Sequence, residues 1–161
     1  MGVIARSTAA ALSRLGRHAV GATAVLIVCA MMSSPLGAAT WYVNGAVGRD
    51  WQSGAAPNLA KRTIQNAIDA SVNGDTIVIA GGTYFENLRL SKAITLHAYE
   101  PQTVKIDGRH AGSCLVIREG AAGCVVDGLV FTHGAPVNSG NKYGGGVNCD
   151  VDATIRRGRR R

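Results

Sequence analysis

TIQNAIDASVNGDTIVIAGGTYFENLRL, residues 63–90, is the stretch on which the reading of this chain turns. Ala60, Ile64, Ala67, Ile68 and Val72 recur at helical spacing and share one face. Asn73-Gly74 is a stop signal, because glycine takes the left-handed conformation that ends helices. The pattern predicts a short helix near 59–72, apolar on one side only, as a lid over stacked strands requires. From Thr76 the period changes to two. Ile77 and Ile79 alternate with Thr76 and Val78, and Leu88 and Leu90 with Asn87 and Arg89. Alternation of this kind marks half-buried strands, and Gly81-Gly82 supplies the corner between them.

The same rhythm continues outward. Ile94, Leu96 and Ala98 alternate with Thr95 and His97, and Val104 and Ile106 with Lys105 and Asp107. Upstream, residues 41–43 (WYV) read as a first strand and 44–58 as a loop. Downstream, units starting at Ile94, Cys124 and Ala153 recur every ~30 residues, a solenoid period. In the second unit Val126, Leu129 and Phe131 are expected to point inward. An antiparallel sandwich would need tight two-residue hairpins, and few such turns occur. The expected fold is therefore all-β: a right-handed parallel β-helix (solenoid) with a short N-terminal capping α-helix. Neighbouring turns would stack and fill the interior with one inward residue per position.

Residues 1–18 carry Arg6, Arg14 and Arg17 and no acid, and 19–32 are apolar. Ser33, Ser34 and Pro35 break that run, and 37–39 (GAA) offer small residues for cleavage. This is the layout of a secretory signal peptide over residues 1–39. A membrane anchor is the rival reading, but the run is shorter than the ~20 residues a spanning helix uses. Cys29 follows Val28, which is bulkier than the small residue expected at a lipid-attachment site. The chain is expected outside the cytoplasm, secreted or in the cell envelope, with no stable transmembrane anchor after cleavage.

The net charge of +7 points to no nucleic-acid partner. Three of the arginines lie in the leader, and Arg156, Arg157, Arg159, Arg160 and Arg161 in the last six residues. Without those eight, nine Lys and Arg face ten Asp and Glu. A nucleic-acid surface would interleave its cations with polar and aromatic readers on the folded body. The segment 156–161 reads as an out-of-frame or truncated tail, and a solvated basic tail is the alternative. A stack that ended there would be marginally stable or aggregation-prone.

Cys114, Cys124 and Cys149 lack metal-knuckle spacing, and His97, His110 and His133 do not fall beside them in the sequence. An odd number leaves at least one thiol unpaired within the chain. Cys124 and Cys149 are expected as buried small apolar residues.

The stretch 63–90, together with TVKIDG at 103–108, VVDGLVFTHG at 125–134 and YGGGVNC at 143–149, resembles right-handed β-helix proteins of the pectin-lyase-like superfamily. The opening WYVNGAVGRDW at 41–51 fits the same resemblance, which spans residues 41–155. It implies domain limits of 40–155 for the N-terminal coils of such a fold. Its motifs are scaffold: glycines for corners and aliphatics for the interior. Three roles follow from it. The first is a non-catalytic surface or carbohydrate-interaction scaffold, with a polysaccharide or cell-surface glycan as partner. The second is a polysaccharide lyase of the pectate-lyase-like kind, performing Ca²⁺-assisted β-elimination on uronate polymers, with its active coils missing. The third is an adhesin that self-associates through open coil ends.

Lyase chemistry would need a basic residue and carboxylates to hold Ca²⁺. The candidates are Arg118 or Lys142 as the base and Asp127, Asp150 and Asp152 as calcium ligands. Asp150 and Asp152 share a parity if their segment is extended. The plainer reading, and the preferred one, makes all three aspartates turn residues. Lys142 and Tyr143, in the glycine- and asparagine-rich loop 134–146, could contact a sugar, against the plainer reading of a coil-to-coil loop. Tyr84 and Glu86 are expected as an aromatic packed under the helix and a solvated corner acid.

Overall fold

A computed structural model describes residues 37–136 and 145–156. The expectations placed on residues 1–36, on Lys142 and Tyr143, and on 157–161 lie outside the described residues. The described part is predominantly β, in three parallel sheets.

Strand β1 (Thr40–Val43) is followed by a 3-10 turn (Pro57–Leu59) and helix α1 (Ile64–Ala70). The strands then come in threes: β2 (Thr76–Ile79), β3 (Gly82–Tyr84) and β4 (Leu88–Leu90); β5 (Thr95–Ala98), β6 (Val104–Asp107) and β7 (Leu115–Ile117); β8 (Val125–Asp127), β9 (Leu129–Thr132) and β10 (Val147–Cys149). Strand β11 (Thr154–Arg156) follows. The sheets are ordered β1-β2-β5-β8-β11, β3-β6-β9 and β4-β7-β10, so the chain visits the three in fixed rotation. Each passage through all three is called a circuit below.

Register makes the repeat explicit. Thr95 pairs with Val125 and Val125 with Thr154, offsets of thirty and twenty-nine residues that match the sequence period. Thr76 pairs with Thr95, only nineteen residues on. The first circuit is shorter because its corners hold two to four residues, whereas those of the second hold five to seven.

The inward residues form one cluster. In the five-stranded sheet, Ile77, Leu96 and Val126 lie in one register row and are all buried. Val104, Ile106 and Leu129 from the second sheet and Leu88, Leu90, Leu115 and Ile117 from the third complete that cluster. Phe131 packs against it while half-buried.

The helix is shorter than its sequence pattern. Lys61 forms a parallel bridge with Val43, and its N–H donates to the Tyr42 carbonyl at 2.9 Å. That pairing, with extended backbone at Ala60 and Thr63, keeps the segment before Ile64 out of the helix. Ala60 is buried but not helical, and Val72, past the helix end, is 42% exposed. The stop is an extended Ser71, and Gly74, at φ +92, forms a turn beyond it. Distant side chains serve both helix ends. Glu86 accepts from the N–H groups of Ile64 and Gln65, at 3.0 and 2.9 Å. Lys92 Nζ donates to the carbonyls of Ile68, Asp69 and Ser71. Opposite charges thus sit at the two poles of the helix dipole. Glu86 is therefore half-buried rather than a solvated corner acid. Burial pushes its carboxyl upward, the N–H bonds from Gln65 and Ile64 pull it down, and the net direction is up.

Candidate functional site

Among the described residues, three ionisable clusters sit on the outer surface, and each joins the second circuit to the third. In the five-stranded sheet, His97 of β5 and Asp127 of β8 are register partners, with Nδ1 and Oδ2 3.2 Å apart. Arg156 is the partner of Asp127 on the other side. At the end of the β7–β10 pair, Arg118 Nη1 donates to Asp150 Oδ2 at 3.2 Å. The third cluster lies where β6 and β9 end. Asp107 Oδ1 accepts from the Arg109 N–H at 2.9 Å, and its Oδ2 lies 2.9 Å from His133 Nδ1.

This third corner is unusually constrained. Arg109, His110 and His133 take φ values of +49, +58 and +50, and they are the non-glycine residues with positive φ among those described. Side chains in that region are strained. The strain is offset by the bonds to Asp107 and by the His110 N–H donating to the His133 carbonyl at 2.7 Å. The two imidazoles stand 5.1 Å apart between centroids, and the Arg109 guanidinium lies 4.2 Å from the centre of the Phe85 ring. Gly134 and Gly145 meet backbone to backbone beside them, an approach that leaves no room for a Cβ on either. The His133 bond, then the Arg109 N–H, hold the Asp107 carboxyl below its ordinary value. A carboxylate fixed on Nδ1 orients an imidazole and leaves Nε2 for proton exchange.

The calcium candidates are not gathered. Asp127 belongs to the five-stranded sheet and faces His97, whereas Asp150 follows β10 and pairs with Arg118. Residues 150–151 form a bend rather than an extended run, so the parity that would align Asp150 with Asp152 is lost. Asp150 and Asp152 do line one open depression, with Ala122, Cys149 and Val151. Among the described residues, no group of three or more His, Cys, Asp or Glu is placed to hold a metal ion. Arg118→Ala should lower stability by less than ~1 kcal/mol, since the pair is exposed and screened. Urea melts at 0.1 and 1 M salt would check this.

Among the described residues, Cys114, Cys124 and Cys149 are free thiols. Cys114 and Cys124 are buried, but Cys149 is exposed, contrary to expectation. In register it covers Ile117, and among the described residues no later strand covers it in turn. Tyr84 is buried as an aromatic packing residue, its hydroxyl donating to the Ala80 carbonyl and accepting from the Gly45 N–H. Among the described residues no helix is long and apolar enough to cross a membrane.

A fourth feature escaped the sequence reading. In the loop between β1 and α1, Trp51 is 80% exposed. Lys61 is only 7% exposed, and its Nζ donates to the carbonyls on both sides of that tryptophan, Asp50 at 3.2 Å and Gln52 at 3.0 Å. The Asp50 carboxylate in turn accepts from the N–H groups of Arg62 and Thr63 and from the Thr63 hydroxyl. The sequence offered only Trp51 itself, in GRDW, as a signal; Lys61 lies ten residues on. Compared with known proteins, the chain matches no family model, no curated sequence and no solved structure.

Proposed function

We propose that residues 40–155 are the opening turns of a right-handed parallel β-helix of the pectin-lyase-like kind, serving an exported protein as a scaffold for surface or carbohydrate interaction. The observation that carries this reading is the unbroken rotation through three parallel sheets, each strand in register with its counterpart one circuit away. Such a stack buries its aliphatics and leaves the outer rows free to vary. Helix α1, which packs on β1, β2 and β4, fits the role of an end cap.

The test is to titrate the full chain with soluble neutral and uronate polysaccharides by calorimetry, and to follow release of unsaturated uronide with and without Ca²⁺. Saturable binding without release is expected. Ca²⁺-dependent release would replace this reading with the lyase. Absence of binding together with concentration-dependent growth of β-structure would replace it with the adhesin.

A further inference from the structure

We infer that Trp51 is a preorganised contact ring for a single pyranose unit, presented by the Lys61 clamp. This rests on the carbohydrate-interaction reading and names its site. An indole held 80% in water is costly to leave uncovered. A flexible loop would let it fold back onto the body. Here the backbone is fixed on both sides of the ring by one buried ammonium, and Asp50 anchors the same turn to the chain leading into α1. The same ammonium lies over the Trp41 ring, 6.0 Å from its centre. The outward pose of Trp51 is thus built in before any ligand arrives, which lowers the ordering cost of binding.

The surroundings select the ligand class. A protein hot spot sits inside a contiguous apolar patch ringed by neutral contacts. The sequence neighbours of Trp51 are Arg49, Asp50, Gln52 and Ser53, all polar. Val47 and Leu59 are the other exposed large apolar side chains of this loop, each smaller than an indole. One aromatic face flanked along the chain by polar residues matches a pyranose, whose C–H face is apolar and whose edge carries hydroxyls. It matches a bilayer or a protein groove less well, since both reward several apolar groups together.

The experiment uses the full chain, with cellohexaose and a galacturonate hexamer as probes, read by calorimetry and by acrylamide quenching of tryptophan emission. Trp51→Ala should weaken binding of the recognised probe at least about tenfold, and Trp51→Phe by less. Neither should move the urea midpoint, because the side chain is exposed. Lys61→Met keeps the aliphatic stem but frees the Asp50 and Gln52 carbonyls. It should weaken binding several-fold while the ring remains, and it should increase quenching in the unliganded protein. Saccharide binding that persists unchanged in Trp51→Ala overturns this inference and leaves the broader reading standing. Failure of the intact protein to bind any saccharide overturns both. A blue shift on phosphatidylcholine–phosphatidylglycerol vesicles, lost in Trp51→Ala and without saccharide binding, would reassign the ring to a membrane surface.

Discussion

Replacing Asp75 by alanine is expected to cost about 3–5 kcal/mol, because one buried carboxylate holds three donors, two at β1 and one just after α1. Its Oδ1 accepts from the Ala39 N–H at 2.7 Å, just ahead of β1. Its Oδ2 accepts from the Trp41 indole N–H at 2.8 Å and from the Val72 N–H at 2.8 Å, just after α1. Asp75 itself leads into β2. The substitution removes the acceptor for all three donors at the point where β1, the helix end and the first circuit meet. Asp75→Asn retains one oxygen acceptor and should lose less. Burial pushes the Asp75 carboxyl up, but the bonds from Val72, Ala39 and Trp41 together outweigh it, with help from the Lys92 charge, and the net direction is down from 3.8. The folded state therefore binds this proton less tightly than the unfolded chain. The stabilisation is complete above the unfolded value and is lost as pH falls through the folded one. Urea midpoints of wild type and Asp75→Ala should differ most at neutral pH and converge in acid. A midpoint difference that stays constant down to pH 2 would show that the carboxylate charge is not the fastening element.

Leu96→Ala should cost about 2–5 kcal/mol, the range for deleting a buried leucine side chain where the site cannot collapse. Leu96 is the middle residue of the register row Trp41, Ile77, Leu96, Val126, Ile155. It is fully buried and has a circuit on either side. Relaxation to fill the cavity would have to break strand register with β2 or β8, so the void should persist. Leu96→Met, which conserves volume, should cost less than about 1.5 kcal/mol. Equilibrium urea unfolding gives both values. A loss under ~1 kcal/mol for Leu96→Ala would mean that the interior is not close-packed at this level.

Much of the scaffold is legible because its determinants are local. Residues 76–79, 94–98 and 104–107 alternate between a buried and a more exposed side, and a period of two is visible without knowing what lies opposite. The thirty-residue spacing is likewise visible once the interior positions of β5 and β8 are aligned. The helix start is not, because Lys61 is drawn into a bridge with β1, about twenty residues earlier. The first circuit is also hard to see, since its nineteen residues break the later period. The surface chemistry was least legible. Asp127, Asp150 and Arg118 could be picked out by type, but which cation meets which acid depends on circuit length. Asp107 and His133 meet across twenty-six residues and Arg118 and Asp150 across thirty-two, separations that no local pattern encodes. Trp51 is not legible as a projection because the residue that makes it one, Lys61, carries no sign of that role in its own neighbourhood.

The three ion pairs give one level of the stack a character of its own. Among the described residues they all cross the boundary between the second circuit and the third, one in each sheet. Boundaries held by aliphatic rows and backbone ladders are nearly indifferent to dissolved ions, whereas exposed charge pairs weaken as the screening length shrinks. The fold therefore carries at this seam a local responsiveness to the composition of the surrounding water. Any loosening driven by salt would start there, one circuit removed from the helix, and leave the turn that presents Trp51 undisturbed.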